Sequence, residues 1–187
     1  MLGGSNQKKK SNTSTSATEE EKILYKILLE HFDGNTTAVL GIMCNVQYES
    51  GFKANNLENI NNRAWGITDQ EYTDAVNDGS LTKEEFIKDA WGSNVRESLK
   101  NGKWVNPDGG YGFCQFTTYD KKKSLYEYCK KWFSDGGEGE GEDFDISDPT
   151  MQANYICYLL DNDFKSIDTA LKAITGTESS IYMAFKV

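Results

Sequence analysis

Glu49 is the residue of this chain best placed to do acid chemistry. It follows a run of apolar residues, Ala38, Val39, Leu40, Ile42, Met43, Cys44 and Val46, and it precedes Ser50 and Gly51. Those residues are apolar nearly all round a helix from about Thr37 to Tyr48, so that helix reads as buried and central. Gly51 can take the left-handed conformation that closes a helix. Glu49 then stands in the last turn. Burial penalises a carboxylate, and so does the negative end of a helix dipole. Both keep a proton on a carboxyl held there. Such a group can protonate a leaving oxygen, the step on which glycosidic bond cleavage depends. The plain alternative is a solvated glutamate at a helix end.

A second stretch with chemistry is Asp108-Gly109-Gly110-Tyr111-Gly112-Phe113-Cys114-Gln115-Phe116-Thr117. Its glycines predict tight turns, and its aromatics sit on an otherwise polar loop. Tyr111 offers a ring face and a hydroxyl, and Gln115 an amide donor and acceptor. These suit a neutral, hydroxylated ligand, unless the loop folds back on the core. A retaining glycosidase needs a second carboxylate about 5 Å from the first, and an inverting one about 6.5–9.5 Å away. Glu58, Asp69, Asp89 and Asp108 are the candidates, and Glu58 lies close enough in sequence to Glu49 for a hairpin to return it. Chemistry with no essential partner carboxylate is the further option.

Other chemistries find less support. His31 is the one histidine, so no imidazole metal site can form, and it reads as a surface or groove residue. Cys44, Cys114, Cys129 and Cys157 make no closely spaced pair. Free thiols are favoured over zinc, with two disulfides still open. The stretch from Asp74 to Glu85 imitates a calcium loop, with Asp74, Asp78 and Glu85 as acids and Gly79 at the turn. Val76 removes one ligand, so calcium is not expected. The acidic segment from Ser134 to Ser147 lacks ligand spacing and reads as solvated. No metal and no cofactor are implied.

The elements that must position Glu49 follow from periodicity. Thr18-Glu19-Glu20-Glu21 opens a helix whose stripe is Ile23, Leu24, Ile27, Leu28 and Phe32, ended by Gly34. Residues from Phe52 to Asp108 are polar and rich in Gly and Asn, with short helices near Gln70–Val76 and Lys83–Ala90. Helices follow over Lys121–Phe133, after the Asp148-Pro149 cap, over Ser166–Ile174, and from Glu178 toward Phe185. The class is mainly α, with one or two irregular excursions and a minor β share. Residues 1–18 read as a flexible tail or linker, and 19–187 as one domain.

Composition narrows the partners. A net charge of −9 argues against nucleic acid. No apolar run is long enough to span a membrane. Recognition of a neutral glycan would then rest on shape, stacking and hydrogen bonds. The low-complexity start and the abrupt end read as a domain cut from a larger, multidomain protein.

Val46-Gln47-Tyr48-Glu49-Ser50-Gly51-Phe52 resembles the glutamate motif of the lysozyme superfamily, in the form typical of phage-tail lysozymes. Gly110-Tyr111-Gly112-Phe113-Cys114-Gln115-Phe116-Thr117 resembles that family's second motif, Gly-Tyr-Gly-Leu-Ala/Cys-Gln-Trp-Thr. Between them, Gly66 to Val76 resembles a segment of tail lysozymes from Gram-positive phages and conjugative elements. The resemblance spans about residues 20–185. It implies a lysozyme-like fold whose buried central helix ends at the catalytic Glu49. It also implies cleavage of the β-1,4 bond between N-acetylmuramic acid and N-acetylglucosamine in peptidoglycan glycan strands. The wall of the glycan cleft would be Tyr111, Gly112, Gln115, Phe116 and Thr117. The setting would be extracellular or wall-facing, on a phage tail or conjugation apparatus. Asp89 matches an aspartate often seen shortly before the second motif. Phe116 departs from the family's Trp, and Trp91 to Asp108 resembles an insertion. A lytic transglycosylase on the same site is one alternative. A wall-glycan-binding module without catalysis is another.

Overall fold

In the computed structural model, residues 16–87 and 109–175 are described. Eight helices lie among them: α1 (Glu19–His31), α2 (Thr36–Ser50), α3 (Asn59–Trp65), α4 (Asp69–Asn77), α5 (Lys83–Ile87), α6 (Tyr119–Trp132), α7 (Pro149–Asn162) and α8 (Lys165–Lys172). Among the described residues no strand forms. The β share is two isolated bridges, Leu57 to Tyr111 and Tyr111 to Phe116. The mainly α, lysozyme-like class expected from the sequence is the one found.

Side chains open the helices where the sequence places them. Thr18 Oγ1 accepts from Glu21 N at 3.2 Å, satisfying a first-turn donor of α1. Asn35 Oδ1 accepts from Thr37 N and Ala38 N at the head of α2. Asp148 Oδ1 accepts from Met151 N at 2.6 Å, and Pro149 follows where its missing N–H costs nothing.

Two apolar clusters hold the helices. One gathers Leu24, Leu28 and Phe32 with Val39, Ile42 and Val46 of α2. The other gathers Tyr72, Phe86, Tyr111, Leu125 and Cys129. α7 supplies both: Met151, Tyr155 and Leu159 to one side, Ala153, Ile156 and Leu160 to the other. Each fully buried side chain of this size contributes about 1.5–3 kcal/mol. The bridge between the clusters is thus α7, while α2 lies in one of them. α2 is also less enclosed than its composition implies. Leu40 is exposed, and so are Gln47, Tyr48 and Glu49.

Three expectations need correcting. α3 was not anticipated, because its Asn-rich sequence favours helices weakly. His31 is not a surface residue: its Nε2 lies 2.8 Å from Asp168 Oδ1, pinning α1 to α8. The acidic segment is mostly exposed, but Ile146 is wholly buried, and Ile146 N donates to Asn77 Oδ1 at 2.9 Å. The continuation of α5 toward Ala90, the stretch from Trp91 to Asp108, and the helix expected from Glu178 lie outside the described residues. No helix among the described residues is long and apolar enough to cross a membrane.

Candidate active site

A cleft of about 450 Å³ opens between α2, the 114–118 loop, α6 and α7. Ile42, Asn45 and Glu49 line it from α2, Gln115 to Thr118 from the loop, Lys121 from α6, and Ile156, Leu159 and Leu160 from α7. One side is apolar. The other presents an acid, two amides and two hydroxyls. Glu49 is exposed at its edge. The apolar run before Glu49 predicts a carboxyl under the cover of its own helix. The structure leaves it open to water, so only a ligand filling the cleft can dehydrate it.

The turn after Glu49 is held in an uncommon backbone conformation. Gly51 closes α2 at φ 61°, and its N–H donates to Gln47 O at 3.1 Å. Phe52 follows at φ 66°. A left-handed non-glycine residue costs roughly 1–2 kcal/mol, so surrounding contacts must impose it. Gln115, in the second motif, has φ 49°. Both motifs thus carry strained residues beside the cleft.

Hydrogen bonds stitch these two segments together. Gln115 Nε2 donates to Asn56 O at 3.0 Å and to Gly112 O at 3.1 Å. Gly112 N also donates to Asn56 O, and Glu58 N donates to Gly110 O at 2.8 Å. Gln152, buried on α7, locks the assembly. Its Nε2 donates to Ala54 O at 2.7 Å and Ile146 O at 2.8 Å, while its Oε1 accepts from Phe113 N at 3.0 Å.

The expected glycan-wall residues divide accordingly. Gln115, Phe116 and Thr117 line the cleft. Tyr111 does not: it is 0% exposed, its ring packs on Tyr72 and Phe86, and its hydroxyl lies 2.6 Å from Thr73 Oγ1. The loop folds back on the core at this residue, because Tyr72 and Phe86 offer it an aromatic seat. Gly112 is buried as well. At φ 79°, a Cβ there would meet Gln152 Oε1 at 2.5 Å, so its role is to let the loop approach α7.

Of the second-carboxylate candidates, Glu58 and Asp69 do not line the cleft. Glu58 Oε2 accepts from Gly110 N at 3.3 Å, and Asp69 Oδ1 from Leu57 N at 3.2 Å. Both hold backbone. Asp89 and Asp108 lie outside the described residues. Sequence reasoning missed Asn45, Lys121 and Gln152. Gln152 carried a signal, since it sits at helical spacing from the core residues Tyr155 and Ile156.

Burial pushes the Cys114 thiol up to about 12; the Glu49 carboxylate adds to this, while Lys121 opposes it. Both charges therefore reach the same thiol. Burial also pushes the Tyr111 phenol well up. All four cysteines are free thiols. The ligand atoms of His31, Asp161 and Asp168 lie within 4.8 Å of one another. However, Asp168 already bonds His31 Nε2 through one oxygen and Lys172 Nζ through the other, each at 2.8 Å. The lysine ammonium sits where a cation would be drawn. In the calcium-like stretch, Glu85 Oε2 accepts from Thr82 N at 2.7 Å, and Asp78 Oδ1 from Ser80 N at 2.8 Å. These acids cap turns.

A model of the family described as phage tail lysozyme matches residues 19–186. No curated protein and no solved structure matches the chain.

Proposed function

The chain belongs to the phage tail lysozyme family, and on that premise we propose that it cleaves the β-1,4 bond between N-acetylmuramic acid and N-acetylglucosamine, with Glu49 as general acid. A lysozyme-like role in peptidoglycan lysis goes with the family, as does a tail or wall-facing location. The observation that carries the residue assignment is the place of Glu49, in the last turn of α2 at the edge of the cleft.

Bound glycan would displace water from that edge and leave the carboxyl facing the glycosidic oxygen. Glu49 donates its proton as the bond from the sugar carbon to that oxygen breaks. Positive charge develops on the departing sugar ring. Asn45 offers an amide to hydroxyls and N-acetyl groups, Gln115 and Thr117 contribute side-chain oxygens as acceptors, and the apolar side accepts sugar faces. A water then adds to the sugar and returns a proton to Glu49. Asp89 is retained as the candidate second carboxylate.

One observation favours a second reading. Glu49 is the one carboxylate among the described residues that line the cleft. A lytic transglycosylase works with one: the substrate's acetamido group assists, and the same glutamate acts first as acid and then as base. Digestion of purified peptidoglycan, with mass spectrometry of the products, separates the two. Reducing muropeptides support the hydrolase, and anhydro-muropeptides the transglycosylase. No release from several wall types would sink both and leave a glycan-binding module.

A further inference from the structure

The cleft holds one cation among its described lining residues, Lys121 of α6. The chain as a whole carries a net charge of −9, and of the three consecutive lysines that open α6, Lys121 to Lys123, it is Lys121 that lines the cleft. Lys121 is half-buried, and its Nζ stands 4.3 Å from the centre of the Phe164 ring. It forms no ion pair among the described residues. Phe164 and Leu159 both line the cleft, so the ammonium stands against its apolar side.

A lysine needed only for packing would reach its ammonium into water. This one is held over an aromatic face inside a cleft. Nor does acid catalysis by Glu49 call for it, because a nearby positive charge favours the carboxylate form of an acid. The cation lies within reach of a ligand in the cleft. The proposed substrate has an acidic group to meet it: its muramyl sugars carry a lactyl arm with a methyl group and a carboxyl. That carboxyl is either free or extended by a peptide stem with carboxylates of its own. A strand of N-acetylglucosamine alone carries none.

Resting on the lytic reading above, we propose that Lys121 pairs with a carboxylate on the muramyl arm, so that the cleft selects muramic-acid strands over uncharged amino-sugar polymers. The ammonium makes charge-assisted hydrogen bonds to that carboxylate. Phe164 and Leu159 offer apolar surface beside it.

The test is calorimetric binding on a Glu49→Gln background, which needs no turnover. Three probes are compared: a stem-free muramyl tetrasaccharide with its lactyl carboxylate free, the same glycan bearing peptide stems, and chitotetraose. The carboxylate probes should bind about tenfold or more tightly than chitotetraose. Lys121→Gln should erase that difference, and Lys121→Arg, which keeps the charge, should retain most of it. Tighter binding of the stem-free probe makes the lactyl carboxylate the partner, and tighter binding of the stem-bearing probe makes it a stem carboxylate. Equal affinity for charged and neutral probes would overturn the proposal, as would a preference that survives Lys121→Gln. Charge selectivity in a wild-type protein that releases no muropeptide would overturn the cleavage reading and leave this inference standing.

Discussion

The side-chain oxygen of Gln152 accepts a hydrogen bond from the backbone N–H of Phe113 at 3.0 Å. The same carboxamide donates to Ala54 O and Ile146 O. One buried side chain on α7 thus fixes the segment after Glu49, the second motif and the end of the acidic loop. Gln152→Leu would fill the space and leave three backbone groups without partners. A loss of about 3 kcal/mol or more follows. For a domain of this size that lowers Tm by roughly 6–12 °C. Thermal unfolding followed by circular dichroism checks it.

Gly112→Ala meets two obstacles at once. The backbone there has φ 79°, and the new methyl would lie 2.5 Å from Gln152 Oε1. The loop must shift, and Gln115 to Thr117 shift with it. Expected are a loss of about 1–3 kcal/mol in stability and a lower rate of wall lysis. Urea unfolding and a turbidity assay on cell walls measure the two.

Tyr111→Phe separates core from cleft. The hydroxyl pairs with Thr73 in a fully buried setting. Its removal should cost about 1–2 kcal/mol of stability and leave KM for glycan unchanged. A selective rise in KM with unaltered stability would return Tyr111 to the substrate.

Asp168 sets an acid limit on stability. Burial pushes its carboxyl up, but hydrogen bonds from Lys172 and His31, with their charges, outweigh this and hold it below the usual carboxylate range. A carboxyl whose folded pKa lies below its unfolded value of about 4 stabilises the fold above that value. The contribution is lost as pH falls through the folded pKa. Wild type should therefore lose stability as pH falls from about 5 through the folded pKa of Asp168, and Asp168→Asn should lose less over the same interval. Urea midpoints across that interval test the difference.

The helices that carry Glu49 and close the domain could be read directly, because capping residues and apolar stripes are local signals. Thr18, Gly51 and the Asp148-Pro149 pair each mark a helix boundary at or next to the observed one. Glu49 and the cleft-lining Gln115, Phe116 and Thr117 were legible through their motifs. What was not legible depends on partners distant in sequence. Tyr111 looked like an exposed aromatic on a polar loop, and only Tyr72 and Phe86 make it core. Lys122 of α6 is fully buried with its Nζ 5.6 Å from the Phe86 ring, a placement that depends on a residue distant in sequence. Lys121, its neighbour, differs only in the face of the helix it occupies.

The central claim is that Glu49 supplies the proton. The most direct measurement is the initial rate of muropeptide release from purified peptidoglycan by wild type and Glu49→Gln, with unfolding curves for both. The rate should fall by about a hundredfold or more, the usual contribution of a general acid. Tm should hold, because the Glu49 side chain is exposed. A Glu49→Gln protein that keeps its fold and lyses walls at the wild-type rate would contradict the assignment.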